Sequence, residues 1–170
     1  MALSHKIRPA TEKDAESVTT MVRELAEYEN NLGKCRMTPE IFTRDGFGEN
    51  AAFKCLIAET KIASSSAIQD VGYAIFHFTY SVHGGRTIYL EDLYVKEPQR
   101  KHGIGADLMK AVAKIGIEKG CLQFKAACYK WNCNALEFYK SAGARDITEE
   151  TGLHIMRFGQ NEMQILAEEK

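Results

Sequence analysis

The stretch YLEDLYV, residues Tyr89 to Val95, decides how the rest of this chain is interpreted. Five of its seven residues are apolar or aromatic, which is the composition of a buried strand, and two carboxylates, Glu91 and Asp92, lie in the middle. Because a buried carboxylate without a partner is costly, strands seldom carry two of them without compensation. The stretch therefore predicts a strand whose acidic pair has a function.

A glycine-rich turn, QRKHGIGADL, follows this strand directly and opens a helix. Gly103 and Gly105 allow the backbone to approach a ligand closely, and the first amides of a helix have no acceptor within it. Arg100 and Lys101 add positive charge. The turn therefore predicts a phosphate or pyrophosphate site, with a glycine-rich corner that holds no ligand as the alternative.

Two common nucleotide motifs are excluded at this turn. A dinucleotide fingerprint needs a third glycine at position 108, where the chain has Leu108, and no G-x-x-x-x-G-K-[ST] occurs. The pattern that remains is R-x-x-G-x-G, formed by Arg100, Gly103 and Gly105, after a strand that carries acids.

Composition bounds the class of protein. The chain has 170 residues, 45% of them hydrophobic and 26% charged, which predicts one soluble globular domain over residues 1–170. The net charge of −1 gives no positive field, so we expect neither nucleic acid nor a membrane as a partner. No apolar run approaches the roughly 18 residues of a membrane span, and MALSHKIRPA lacks the apolar core of a secretory signal.

The cysteines and histidines indicate neither a disulfide framework nor a metal centre. The number of cysteines, five, is odd, and none of them are spaced as C-x-x-C. This pattern is typical of reduced thiols in a cytosolic protein. The five histidines are scattered, without H-x-x-x-H spacing or a Cys/His cluster. We therefore expect a cytoplasmic protein without a metal site.

Hydrophobic periodicity predicts an α+β fold around a mixed sheet. A strand at HKIRPA precedes a helix that begins at Thr11 and a short helix at MTPEIF, capped by Thr38 with Pro39 in its first position. Strands at FKCLIAE and VGYAIFHFTY, joined by a serine-rich surface loop, precede TIYLEDLYV. After the helix that Gly120 ends, we predict a strand at LQFKAACY, a helix at NALEFYKSAGA, and a late strand or hairpin arm at LHIMRFG.

The acidic strand followed by R-x-x-G-x-G resembles the acyl-coenzyme A pyrophosphate loop of the GCN5-related N-acetyltransferases. Within that superfamily the chain is similar to the diamine acetyltransferases, in both the spermidine/spermine and the thialysine branches. The stretches that carry this likeness keep their order from about Ile7 to Gly159: RELAEYE, DGFGEN, GRTIYLEDLYV, RKHGIG, WNCNALEFYKSAGA and TEETG. The resemblance implies the acyl-CoA N-acyltransferase fold, a mixed, twisted sheet flanked by helices.

The resemblance implies acetyl-CoA as co-substrate, held where two central parallel strands splay apart. The backbone of Leu93 to Val95 would line the pantetheine arm, and the glycine turn would hold the pyrophosphate. The full set of implied cofactor-binding residues is Leu93, Tyr94, Val95, Arg100, Lys101, His102, Gly103, Ile104, Gly105, Ala106, Asn132, Cys133, Asn134 and Ala135. Trp131, taken alone, is more typical of core packing.

The resemblance also implies roles in catalysis. Tyr139 in EFYK matches the proton donor to the departing thiolate of coenzyme A, and the alternative is a helix residue that seals the sheet edge. Glu91 matches the substrate-binding, water-coupled base, and Asp92 would support the charge of the substrate. Alternation along a strand places these carboxylates on opposite faces. An ion pair with an arginine such as Arg86 or Arg100 is the alternative for either.

Tyr28 and Glu29 match family positions that contact the polyamine, whereas by composition alone EYEN is a solvated helix end. The chain departs from the spermidine/spermine branch at Ser81, where that branch has an acid and the thialysine branch does not. The EGW of the family appears here as Thr151, Gly152 and Leu153, without the acid and the tryptophan.

Lys125 and Lys130 add positive charge near the expected groove. Fewer anions should weaken the binding of a long polycation. A shorter diamine or thialysine is therefore our hypothesis for the substrate.

The resemblance implies a homodimer that transfers acetyl directly to the amine. A covalent route through Cys128 or Cys133 lacks a paired histidine in the sequence. Two other functions stay open: acetylation of protein lysines or N-termini, and a non-catalytic acyl-CoA sensor. The sensor would keep the R-x-x-G-x-G turn but would not need Tyr139 or Glu91.

Overall fold

The computed structural model describes residues 4–61 and 67–168. The strands are β1 (His5–Pro9), β2 (Lys54–Lys61), β3 (Ile68–Ser81), β4 (Gly85–Val95) and β5 (Gln123–Ala126). The α-helices are α1 (Ala15–Tyr28), α2 (Pro39–Gly46), α3 (Ile104–Glu118), α4 (Cys133–Ser141), α5 (Ile147–Thr151) and α6 (Gln160–Ala167). The centre of the predicted serine-rich loop between β2 and β3 lies outside the described residues.

The strands form one mixed sheet in the order β1-β2-β3-β4-β5. The first four strands pair antiparallel, and β4 pairs parallel with β5. A parallel pair needs a long crossover, and α3 provides it between β4 and β5. The predicted α+β class with a mixed sheet flanked by helices is therefore confirmed.

Both faces of the central strands are buried. Tyr73 and Ile75 of β3 belong to a core cluster with α1 and α2, whereas the alternate residues Ala74 and Phe76 point to the opposite face and are also buried. On that opposite face α3 packs so closely that a Cβ at Gly116 would lie 2.9 Å from Ile88 Cγ2. The α1-facing side and the α3-facing side are thus distinct, and the site described below lies on the first.

The chain divides into two compact units, Met1–Ala127 and Cys128–Lys170. The sheet and α1 to α3 belong to the first unit, and α4 to α6 to the second. The predicted single domain over residues 1–170 stays a prediction. Within the part of the chain that the structure describes, no helix has the length and apolar character needed to cross a bilayer.

The predicted late strand at LHIMRFG is wrong. Between α5 and α6, residues 152–159 adopt no regular secondary structure, and no strand occurs among residues 128–168. Spaced apolar residues form a strand only where a neighbouring strand satisfies the backbone, and the described part of this unit offers none. The α5 turn was not predicted, although Asp146 caps it by accepting a hydrogen bond from Glu149 N at 3.1 Å.

Arg8 joins the first strand to three carboxylates. Its guanidinium donates to both oxygens of Asp14 at 2.9 Å and to Glu59 Oε2 at 2.8 Å, and lies 3.6 Å from Asp70 Oδ1. The Arg8 hydrogen bonds hold the pKa of Asp14 at about 2, below its ordinary value of 3.8. Because this folded-state pKa is depressed, the stabilisation is complete above pH 3.8 and is lost as the pH falls through 2.

Replacing Arg8 with methionine should lower the free energy of unfolding by about 2–3 kcal/mol at neutral pH, because three carboxylates lose their counter-charge. Urea unfolding over a pH series measures the effect, and the deficit should narrow toward pH 2. Arg44→Met is the control, because Arg44 pairs with Asp45 at the surface and should change stability little. A deficit that is the same in acid as at neutral pH would contradict the ion-pair account.

Candidate active site

A β-bulge in β4 positions the acidic pair. In the pairing of β3 with β4, Ile75 lies opposite Asp92 and Phe76 lies opposite Leu90, so Glu91 has no partner on β3. A bulge inserts one extra residue into a strand and changes the alternation of the side chains that follow it. Such bulges are common beside active sites, where they redirect a side chain.

The expectation that Glu91 and Asp92 point to opposite faces is wrong because of this bulge. Asp92 Oδ2 accepts a hydrogen bond from the Tyr73 hydroxyl at 3.1 Å, and Glu91 Oε2 lies 3.4 Å from His77 Nε2. Tyr73 and His77 are four residues apart on β3, so they lie on the same face. Both carboxylates therefore reach the α1-facing side of the sheet.

Asp92 is half-buried among other acidic groups. Burial raises the pKa of Asp92 above its ordinary value, the charge of Glu91 raises it further, and the hydrogen bond from Tyr73 lowers it. Tyr73 itself is fully buried and its pKa is raised, chiefly by burial and then by Asp92. A cationic ligand would relieve the mutual repulsion of these groups.

The end of α1 contributes a third carboxylate. Glu29 is half-buried, and its pKa is raised first by burial and then by the charge of Asp92. The structure thus brings Glu29 near the acidic pair, and we name Glu29, Glu91 and Asp92 the acidic cluster. Because Glu29 is half-buried beside another carboxylate, a fully solvated helix end does not describe it.

Tyr28 and Arg100 adjoin the acidic cluster. The guanidinium carbon of Arg100 lies 5.7 Å from the ring centroid of Tyr28 and 5.6 Å from that of Tyr94. Arg100 Nε also donates to the Val95 carbonyl at 2.8 Å. The end of α1 is therefore connected to the glycine turn through Arg100.

Neither carboxylate of the acidic pair is neutralised by an arginine. Arg86 donates to the Lys119 carbonyl at 3.1 Å, and Arg100 makes the contacts just given. Over residues 4–61 and 67–168, the ion pairs of Glu91 and Asp92 comprise only the contact of Glu91 with His77. The arginine-pairing alternative therefore finds no support, and the acidic cluster can attract a cationic ligand.

The parallel strands separate beside this cluster. β4 pairs with β5 from Thr87 to Leu90 and then continues to Val95 without it. On the opposite edge, Leu93 to Val95 stay paired with β3. From Leu93 to Val95 this edge of β4 therefore has no partner strand in the described sheet, although the Val95 carbonyl accepts the hydrogen bond from Arg100. The predicted role of this edge toward the pantetheine arm stays a prediction.

The glycine turn leaves the first amides of α3 available for an anion. Gly103 adopts a left-handed conformation with φ 84°, and as N-cap it supplies no side-chain acceptor. Lys101 is also left-handed, with φ 65°. Because the first helical N–H groups lack intrahelical acceptors, this end of α3 fits a phosphate group. Gln99 Oε1, just before the turn, is a buried acceptor with no hydrogen-bond partner among the described residues.

In the second unit, Asn132 caps α4. Its side-chain oxygen accepts a hydrogen bond from Ala135 N at 3.2 Å, and this cap fixes where Cys133, Asn134 and Ala135 begin the helix. Tyr139 lies on the same helix, half-buried, with its ring centroid 5.4 Å from that of Phe138. The predicted roles of these residues toward the cofactor stay predictions.

Trp131 is not a core residue, since 50% of it is exposed and its ring stacks on Tyr129 at 5.6 Å. Cys128 is a poor candidate nucleophile, because burial and then Asp146 raise the pKa of its thiol and so reduce the thiolate. No group of three or more metal-ligating side chains occurs in the described ranges, and the predicted lack of a metal site stays a prediction.

Two residues of the site, Tyr73 and His77, were missed by sequence reasoning. Both occur in VGYAIFHFTY, which reads only as an apolar strand. His77 also stacks on Tyr89, its partner on β4, with ring centroids 5.2 Å apart. Their relation to the acidic pair depends on cross-strand register, which no local pattern in the sequence reports.

The chain is similar to known acetyltransferases over most of its length. A family profile described as the acetyltransferase (GNAT) family matches residues 21–144. A thialysine N-epsilon-acetyltransferase from Sus scrofa is 45% identical over 163 residues, which cover 95% of this chain and 96% of that relative.

Solved structures share the fold. An integron cassette protein from the mobile metagenome of V. cholerae has a TM-score of 0.76 and 24% identity, and the match covers 98% of this chain and 99% of that chain. An aminoglycoside N-acetyltransferase in complex with CoA has a TM-score of 0.66 and 17% identity, covering 94% and 97% of the two chains. At these identities the likeness concerns the fold alone.

Proposed function

Because this chain belongs to the acetyltransferase (GNAT) family, as its motifs predicted, we propose that it transfers the acetyl group of acetyl-CoA to a primary amine of a small diamine, polyamine or thialysine-like substrate. The observation that carries the choice of an amine is the acidic cluster on the α1-facing side of the sheet. Three carboxylates without an arginine partner suit a substrate that is cationic before it reacts.

Acetyl-CoA is supported as co-substrate by two features of the first unit. The β4 edge at Leu93 to Val95, which has no partner strand, would hold the pantetheine arm, and the turn from Lys101 to Ala106 would hold the pyrophosphate. Bound there, acetyl-CoA supplies a thioester that an amine attacks. The relative that was solved with CoA shares this fold.

The chemistry of the amine sets what the residues must do. A primary ammonium with a pKa near 10.4 is only about one part in 10³ neutral at pH 7, so the attack requires a base. We assign this role to Glu91, directly or through water, and assign Glu29 and Asp92 to holding the cation. Tyr139 would donate a proton to the departing thiolate. Attack is direct, and no acyl-enzyme forms.

Among amines, we propose a short diamine or thialysine rather than a long polyamine. Ser81 stands where the spermidine/spermine branch has an acid, and a relative named for thialysine is 45% identical. Thr151 replaces the acid of the family's EGW, so the chain has fewer anions to hold a long polycation. Steady-state kinetics on thialysine, putrescine and spermidine, with thiol release as the signal, tests the proposal. A clear preference for spermidine would overturn it.

The same assay separates the rival functions. A protein acetyltransferase would acetylate lysine peptides or N-termini in preference to every small amine. An acyl-CoA sensor would bind the cofactor without releasing thiol, whatever amine is present. Amine-dependent thiol release with the small amines contradicts the sensor, and a higher kcat/KM for a small amine than for lysine peptides contradicts the protein acetyltransferase.

Replacing Gly103 with alanine should weaken the binding of coenzyme A about tenfold, because the residue must keep its left-handed φ close to the pyrophosphate. Isothermal titration measures the affinity. Gly48→Ala is the matched control: Gly48 has φ 98° and, like Gly103, open space where the new methyl group would lie. Both variants should lose about 1 kcal/mol of stability. Equal affinities in the two variants would reject the assignment of this turn.

We also propose that the protein is a homodimer, as the family resemblance implies, and that it is cytoplasmic, as the pattern of its five cysteines favours. The second unit exposes apolar side chains that a partner subunit would cover, among them Ile155 and Met156. Sedimentation velocity at micromolar concentration should give the mass of two chains. The mass of a single chain under these conditions would contradict the proposed homodimer.

A further inference from the structure

Tyr73 is a buried polar residue that the proposed mechanism does not use. It is fully buried on β3, within the core cluster under α1, and lies opposite Tyr94 in the sheet register. Phenylalanine would fill this core position without bringing a hydroxyl into it. A buried hydroxyl is costly unless it has a partner, and the Tyr73 hydroxyl has Asp92 Oδ2 at 3.1 Å.

The titratable groups around Asp92 offer its carboxylate little stabilisation apart from this hydroxyl. The titratable groups that interact with Asp92 are Tyr73 on β3, Cys55 on β2, Glu29 after α1, and Glu91 beside it. All of them are acidic. Arg100, which adjoins the acidic cluster, lies over the rings of Tyr28 and Tyr94, and no described lysine, arginine or histidine forms an ion pair with Asp92. Among the described side chains, Tyr73 is the one that donates a hydrogen bond to Asp92.

We infer that Tyr73 is a positioning residue: its hydroxyl holds Asp92 Oδ2 and keeps the carboxylate ionised, so that Oδ1 can receive the ammonium group of the substrate. Oδ1 accepts no hydrogen bond from a described side chain, and it is not fully buried, so it is the oxygen left for a ligand. This inference rests on the proposed function, since it concerns the amine that the acidic cluster would hold.

The effect of the Tyr73 hydroxyl on the ionisation of Asp92 predicts the direction in which the pH dependence of amine binding should change. Only the ionised form of Asp92 attracts an ammonium group, and burial and Glu91 already favour its protonated form. Removing the hydroxyl removes the interaction that lowers the pKa of Asp92, so the variant should protonate at a higher pH. Loss of amine binding on acidification should then begin at a higher pH as well.

The test is Tyr73→Phe, with Tyr80→Phe as matched control. Tyr80 lies on the same strand, but 75% of it is exposed. In Tyr73→Phe the acid limb of kcat/KM for the amine should move up by about one pH unit, and KM for the amine at pH 7 should rise about tenfold. At saturating amine, kcat should change by less than about threefold, because Glu91 and Tyr139 are intact. The control should match the wild type.

A second measurement does not depend on turnover. In protein labelled with ¹³C at the aspartate carboxyls, the resonance that disappears in Asp92→Asn identifies Asp92, and its titration midpoint should be higher in Tyr73→Phe. An unchanged midpoint and an unchanged acid limb would overturn the positioning role while leaving acetyl transfer intact. A shifted midpoint in a protein that acetylates no amine would instead support the contact and reject the proposed function.

Discussion

Tyr139→Phe is expected to lower kcat for acetyl transfer about 10²–10³-fold, the usual contribution of a positioned general acid. The departing thiolate would have to leave without a proton, while the residues assigned to binding coenzyme A stay unchanged. KM for acetyl-CoA should therefore stay within about twofold of the wild type. Tyr139 lies on α4, whose start is fixed by the Asn132 cap, so loss of one hydroxyl should not disturb the helix.

Stopped-flow thiol release at saturating amine measures the chemical step apart from product release. Tyr80→Phe is the control for the loss of a tyrosine hydroxyl elsewhere in the chain, because Tyr80 is exposed on β3. Wild-type turnover in Tyr139→Phe would contradict the proton-donor role and favour the alternative, in which Tyr139 is a helix residue that seals the sheet edge. Loss of coenzyme A binding together with turnover would indicate a binding role in place of acid catalysis.

Glu91→Gln is expected to lower kcat/KM for the amine about 10²–10³-fold near pH 7. Glutamine fills the same volume and can still contact His77, but it cannot accept the ammonium proton. The deficit should shrink as the pH rises, because the neutral fraction of the amine increases tenfold per unit until its pKa near 10.4. The deficit of Glu91→Gln shrinks toward high pH because an amine that is already neutral needs no base.

Rate profiles from neutral pH to about pH 10 on wild type and Glu91→Gln measure this convergence. His77→Phe is a useful companion, because it keeps a ring against Tyr89 and removes the nitrogen 3.4 Å from Glu91. A deficit that is constant over the whole range would contradict the base assignment and indicate that Glu91 acts only in binding.

Most of the fold was predictable because its signals are local. The glycine turn that opens α3, the Thr38 cap with Pro39, and Gly120 just after α3 each depend on residues close in sequence, and each is found as predicted. Helix capping and periodicity are properties of a few consecutive residues. The late strand failed because a strand depends on a neighbour that the local pattern does not contain.

The sequence predicted which residues belong to the candidate site, but not how they are arranged. Glu91 and Asp92 are conspicuous in an apolar strand, the glycine spacing indicated the turn after it, and the family resemblance added Tyr28 and Glu29. Their mutual arrangement was not predictable, since strict alternation separated two carboxylates that the bulge opposite Ile75 and Phe76 brings to one side.

The sequence by itself determined the order of the elements from β1 to α4, the family and the acids available to bind an amine, because short stretches of residues carry that information. The tertiary structure decided which groups meet: Asp92 with Tyr73, Glu91 with His77, and Glu29 beside them. The physical reason is that register between strands and the packing of α1 depend on residues far apart in the chain. A one-residue bulge changes those contacts without leaving a mark in the local pattern.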